Sequence, residues 1–332
     1  MSNLDVKPAA TVCGGRQDVS AAPVHELLTA RTVPLGESTQ VRRLLPNLGR
    51  RMVGAWCFVD HYGPDAPPGP SGPGGTPIAQ EPGMQVPPHP HTGLQTVSWL
   101  HEGEVLHRDS LGSKQTVRPR ELGLMTSGRG ISHSEESPRE HARYLHGAQL
   151  WVALPGTALD IPPAFEHHPE LPTVTGGGLH ATVILGDLDG TVSPGTTHTP
   201  LVGADLTLPE GTRARLPLQP DFEYAALPMS GSTDVDGVPL TPGSMLYLGA
   251  GRTELPLHAT TDSSLMLLGG EPFAERIVMF WNFVGRSGED IVEAREAWRT
   301  GTRFGEVHGY AGPRLEAPAL PATPLKARGR VR

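Results

Sequence analysis

The chain has 332 residues, room for one large or two medium domains, and is 37% apolar but only 5% aromatic. Its formal charge of −8 excludes a phosphate-neutralising surface and argues against direct nucleic-acid binding. The two cysteines, Cys13 and Cys57, cannot build a disulfide framework, and no apolar run is long enough to span a bilayer, so a cytoplasmic protein without membrane contact is expected.

Glycines (41) and prolines (35) are scattered between short apolar runs, the pattern of an all-β protein with many turns. Residues 1–22 lack periodicity and are expected to be a disordered tail. Residues 63–88 are rich in Pro and Gly and run directly into His89, which suggests a lid or a disordered insert. Strand-like runs follow at 96–100, 115–117, 122–126 and 149–154. After a Pro-rich link, a second series covers 182–185, 201–208, 222–227, 244–248 and 264–268. Two such series separated by a polar link predict two β-sandwich or barrel domains. One helix is predicted near the C-terminus. Ser287 caps it, Glu289 and Asp290 complement its dipole, Ile291, Ala294 and Trp298 share a face, and Gly301 stops it.

His89-Pro90-His91 and His133-Ser134-Glu135 each place metal-ligand residue types at i and i+2, on one face of an extended segment. Side by side in a sheet, the two segments would aim three imidazoles and a carboxylate at one point. That donor set suits a first-row transition metal with open coordination positions. Pro90 removes a ladder donor, so its segment must lie at a strand start or a sheet edge. Gly128 and Gly130, just before the second pair, permit tight backbone geometry. Alone, a His-Pro-His in a Pro-rich stretch is more often a surface pair; the second pair at the same spacing changes that reading. His107-Arg-Asp109-Ser110 has no accompanying nucleophile motif and reads as a turn stabilised by Asp109.

The segments His89-Pro-His91-Thr-Gly93-Leu-Gln95, His107-Arg-Asp109-Ser and Met125-Thr-Ser-Gly-Arg-Gly-Ile-Ser-His133-Ser-Glu135 resemble the pirin family of two-domain cupins. So do the flanking Val41-Arg-Arg-Leu-Leu-Pro46 and Val59-Asp-His-Tyr-Gly-Pro64, whereas Phe280-Trp-Asn-Phe-Val departs from the family pattern. The resemblance implies two tandem cupin (double-stranded β-helix, jelly-roll) barrels. A metal-binding domain would span 23–160 and a metal-free one 161–285. A helix over 286–310 would pack on them, with a disordered tail at 311–332. It further implies one mononuclear metal, iron first, with Mn, Ni, Cu or Zn as alternatives, held by His89, His91, His133 and Glu135. Gln95 stands where other cupins carry a carboxylate and is expected to hydrogen-bond behind the ligands. Trp99, of the same strand parity, would wall a slot, and Arg129 would lie at the pocket mouth. Each also has a plainer reading as a strand polar residue, a core residue and an exposed cation.

Some pirins resemble flavonol (quercetin-type) 2,3-dioxygenases, which implies a small planar aromatic substrate and molecular oxygen, with Glu135 as the base. A carboxylate bound to a cation loses basicity, so Glu135 would act through its free oxygen. Others resemble non-catalytic metal- or redox-sensing regulators that bind a protein partner, such as a transcriptional co-regulator or a metabolic-enzyme modulator. A sugar-isomerase pocket would need lysines, and only Lys7, Lys114 and Lys326 occur.

Overall fold

A computed structural model describes residues 3–5, 7–14, 23–35, 39–63, 83–142, 145–322 and 325. Most of the Pro/Gly segment at 63–88 and parts of both expected tails lie outside these residues. Among the described residues every strand pairing within the five sheets is antiparallel; four sheets form two barrels, each a large sheet faced by a four-stranded one, and the fifth joins Thr11–Gly14, Arg276–Phe280 and Phe283–Gly285.

In the first barrel the large sheet runs Ala164–His168, Leu122–Thr126, Leu94–Glu102, His146–Ala153, Trp56–Tyr62, Thr39–Leu45 and Arg31–Leu35. Facing it are Gln85–His91, Ile131–Glu136, Val105–Asp109 and Lys114–Val117 in that order. The second barrel repeats the plan. Its long sheet is built around Leu179–Leu188, Leu201–Leu208, Ser263–Gly270 and Glu223–Ser230, and its small sheet around Arg213–Pro217 and Glu254–Ala259. The chain is thus an all-β bicupin with one C-terminal helix, Gly288–Thr300.

That helix forms where its end signals place it. Ser287 Oγ accepts from the Asp290 N–H, the Asp290 carboxylate accepts from the Ser287 N–H, and Gly301 closes it in the left-handed conformation at φ 74°. Ile291, Ala294 and Trp298 are its buried face.

The segment boundaries differ from the expected ones at two strands and in both tails. Glu26–Thr29, expected in the first domain, is the edge strand of the second barrel, paired with Ser244–Gly249. Ala164–His168, expected in the second domain, pairs with Leu122–Thr126 and extends the first. Neither tail is without structure. Thr11–Gly14 pairs with Arg276–Phe280, and Leu315, Ala317 and Leu320 pack against the helix and its neighbours. Glu26–Thr29 and Thr11–Gly14 are paired with strands more than two hundred residues away, and Ala164–His168 with one about forty away, which local periodicity does not report.

The barrels share one apolar core. Trp56 is fully buried, and its indole Nε1–H points at Val202 O (3.2 Å) and Gly269 O (3.1 Å) of the second barrel. Burying that indole requires a partner for its N–H, and the second barrel's backbone supplies it. Trp56, Leu150, Trp151, Leu185, Leu201 and Leu268 belong to one continuous cluster, so neither barrel has a closed core of its own at this face. Among the described residues, no helix is long and apolar enough to cross a membrane.

Candidate metal centre

Gln85–His91 is an edge strand of its sheet, as Pro88 and Pro90 require, and pairs antiparallel with Ile131–Glu136 so that His89 lies opposite His133. A bulge then shifts the register and sets Val86, not Pro87, opposite Glu135. Tight turns deliver both strands. Gly93 (φ 68°) and Gly128 (φ 46°) sit so close to Val284 O and Ile161 O that a Cβ would lie 2.3 Å and 2.1 Å from them.

The result is a convergent trio. Ligand nitrogens of His89, His91 and His133 lie within 4.8 Å of one another, and all three side chains are fully buried. Three buried imidazoles would normally be costly, because each has two nitrogens to satisfy. The Nδ1 atoms are accounted for: His89 with Pro87 O (2.8 Å), His91 with Asn282 O (3.1 Å) and His133 with His107 Nδ1 (3.4 Å). An Nδ1–H donated to a carbonyl leaves Nε2 as a lone pair. The Nε2 atoms of His91 and His133 are buried without any hydrogen-bond partner. A cation is what such an orphaned pair of lone pairs fits.

Electrostatics agree. Burial lowers His89 to a pKa of about 4. Burial, and then the neighbouring His89, push His91 and His133 well below the usual imidazole range. At neutral pH all three rings are therefore uncharged and able to coordinate.

Glu135 is 1% exposed and turns into the same barrel, where its Oε1 accepts from Ser98 Oγ at 3.3 Å. It is not part of the 4.8 Å trio. Beyond it, Val41, Tyr62, Met84, Val86, Leu100 and Val105 form an apolar cluster with Leu4 packed against it. Val86 belongs here because of the bulge, and Leu100 because it has the parity of Ser98. Burial, then the Glu135 and Asp60 carboxylates, raise the Tyr62 hydroxyl well above its ordinary range, so it stays a neutral phenol.

Family profiles match most of the chain: Pirin over residues 38–152 and the Pirin C-terminal cupin domain over residues 203–305. A Pseudomonas aeruginosa protein named as a candidate quercetin 2,3-dioxygenase is 45% identical over 295 residues, 89% of this chain and 90% of its own. The chain belongs to the pirin family. A pirin-like protein of Caulobacter vibrioides is 41% identical, with 82% of this pirin and 92% of its relative covered. The crystal structure of a quercetin 2,3-dioxygenase from Acinetobacter baumannii superimposes with a TM-score of 0.83 at 43% identity, covering 90% of this pirin and 96% of that chain.

Of the further residues singled out in the sequence, Gln95 and Trp99 lie on the other side of their strand. Ser98 faces the barrel interior, so Gln95 and Trp99, of opposite parity, face the second barrel. Gln95 Nε2 donates to Thr126 Oγ1 (2.9 Å) and Thr196 O (3.0 Å), and Trp99 Nε1 to Asp205 Oδ2 (3.1 Å). Both serve the barrel–barrel contact rather than the histidine trio. Arg129 is exposed, its backbone N–H bonded to Ile161 O.

In their place this pirin brings groups that the sequence alone did not single out. Trp151 stands edge-on to His91, centroids 5.2 Å apart, and stacks on Phe58 at 4.1 Å. Asn282 comes from the hairpin between Arg276–Phe280 and Phe283–Gly285, whose other tip residue, Trp281, is left-handed at φ 55°. Such backbone is unfavourable for a bulky residue and persists only where its surroundings impose it. Here it presents a carbonyl to Nδ1 of His91. The hairpin at 280–284 is thus what orients His91.

Proposed function

We propose that this pirin is a metal-dependent flavonol (quercetin-type) 2,3-dioxygenase. The observation that carries the reading is the pair of unpartnered, buried Nε2 atoms on neutral His91 and His133, set with His89 beside a buried carboxylate and an apolar barrel end. The likeness to quercetin 2,3-dioxygenases over nine-tenths of the chain supports it. His89, His91 and His133 would hold the metal, with Glu135 as the fourth ligand. Iron is the first choice, and Mn, Ni, Cu or Zn also suit imidazole and carboxylate donors. Bound there, such a metal supplies Lewis acidity toward a substrate hydroxyl.

The chain's own residues do the rest. The apolar cluster around Val86 and Leu100 would receive the flat rings and exclude water, which strengthens each polar contact inside. Glu135 would take the flavonol hydroxyl proton on a carboxylate oxygen, and Ser98 Oγ holds the other oxygen in place. The three neutral imidazoles carry no proton at Nε2 and so compete with neither step.

The test is oxygen uptake and carbon monoxide release with quercetin, using protein whose metal content has been measured. Wild-type protein is expected to turn over. His91→Ala should lose the metal and the activity together, and Glu135→Ala should lose activity with its fold intact. Metal-loaded protein that consumes no oxygen with any flavonol would sink the dioxygenase reading. It would leave the regulator reading, tested by partner capture that differs between oxidised and reduced metal.

A further inference from the structure

Two of the three histidine ligands end on backbone carbonyls, Pro87 O and Asn282 O. His133 does not. Its Nδ1 lies 3.4 Å from Nδ1 of His107, and Nε2 of that ring lies 3.0 Å from Asp109 Oδ2. All three side chains are enclosed, at 0%, 4% and 1% exposure. The sheet explains the alignment. Val105–Asp109 pairs with Ile131–Glu136 on the side away from Gln85–His91, with Asp109 opposite His133 and His107 opposite Glu135. Residues at i and i+2 share a face, so His107 and Asp109 sit directly behind the ligand strand. Phe165, from the opposite sheet of the barrel, stacks on His107 at 4.0 Å with the planes 9° apart and fixes the ring.

The chemistry assigns the protons. A carboxylate accepts, so His107 donates from Nε2 and presents a lone pair at Nδ1. That lone pair accepts the Nδ1–H of His133. His133 Nε2 is then bare, in agreement with its lack of any partner. A change of tautomer at any member would propagate to the metal-facing nitrogen.

We propose that Asp109 and His107 are positioning residues that orient His133 and make it the most strongly donating of the three ligands. The proposal rests on the metal reading of the trio and not on the dioxygenase reading. Asp109 also holds a turn, because its Oδ1 accepts from the Leu111 N–H (2.9 Å) and the Ser113 N–H (3.0 Å). The informative variant is therefore Asp109→Asn. The amide oxygen keeps the turn, while the amide nitrogen faces His107 Nε2 with a donor in place of an acceptor.

The experiment titrates full-length, metal-free protein with Co(II), whose visible absorption reports the ligand field. Asp109→Asn is expected to weaken Co(II) binding by about 10–100-fold and to shift the absorption bands, with circular dichroism unchanged. His107→Phe keeps the stack on Phe165, deletes both nitrogens and should weaken binding over the same range. Asp205→Asn is the control: it alters another buried carboxylate bonded to a histidine, His101, away from the trio, and should leave Co(II) affinity unchanged. Wild-type affinity and spectrum in folded Asp109→Asn and His107→Phe would overturn the relay. Equal weakening in Asp205→Asn would reduce it to general loosening, and wild-type protein that binds no Co(II) would overturn the metal site itself.

Discussion

Asp60 and Arg43 meet inside the first barrel at 0% and 4% exposure, joined by two hydrogen bonds of 2.8 Å, with Arg43 also lying over the Phe58 ring. Each ion satisfies the other, and neither has water to turn to. Asp60→Ala would strand a buried guanidinium and is expected to cost about 3–5 kcal/mol, read from denaturant unfolding. A loss under about 1 kcal/mol would mean that Arg43 finds solvent. Residues of this kind show how far single positions were legible. The convergence of His89, His91 and His133 could be found because i and i+2 on an extended segment is a pattern in the chain itself. Gln95 and Trp99 were misplaced because Leu94–Leu100 is buried on both faces, so the two-residue period gives no sign of which face looks into the barrel. The sequence around His107 and Asp109 predicts a turn, which Asp109 does hold through one oxygen; the other oxygen's role appears only once two strands are paired.

Helices announce their ends and stripes locally, which is why Ser287, Trp298 and Gly301 were readable. What the helix does was not. The chain leaving it braces both strands that carry the histidine trio: Ser132 donates its N–H to Phe304 O (3.1 Å), and the Leu315 N–H donates to Pro88 O (2.8 Å). Trp298, 3% exposed and bonded through Nε1 to Leu315 O (2.8 Å), ties that segment to the helix. Trp298→Ala is expected to cost about 3–5 kcal/mol and to lower metal retention against a chelator; a stability loss with unchanged retention would show the brace to be irrelevant to the site. The N-terminal segment also reaches the first barrel. Leu4 packs on the apolar cluster proposed to receive the substrate, while the Asn3 N–H reaches Asn282 Oδ1 at 2.8 Å. Deleting residues 1–7 removes an internal competitor and spares the strand Thr11–Gly14. Flavonol affinity, measured by fluorescence quenching, should rise several-fold. Unchanged affinity would mean that the rings bind elsewhere.

Across the whole molecule, two barrels were legible from two series of short strands, but their sharing of one core was not, since Trp56 and Trp99 look like ordinary core residues until the second barrel is beside them. The contact has an electrostatic consequence. His146 is 5% exposed, and its Nε2 meets Met229 O of the second barrel at 3.1 Å. Facing it are His61 (rings 5.4 Å apart), His101 (5.0 Å), Arg42 and Asp205, and Asp205 accepts from His101 Nε2 at 2.8 Å. Burial, then His101, lowers His146 from 6.5 to about 4, and burial, then Arg42, lowers His61 well below the usual range. The unfolded chain takes up the His146 proton near pH 6.5 and the folded chain only near pH 4, and His61 shifts in the same direction. Between those values the unfolded state binds more protons, so stability falls as pH falls through that window. For His146 the full effect is on the order of 3 kcal/mol. His146→Gln keeps an N–H for Met229 O and has no proton to gain. With chelator present throughout, the stability of the variant should decline less steeply than wild type between pH 6.5 and pH 4, and parallel slopes would show that water reaches His146 at the barrel contact.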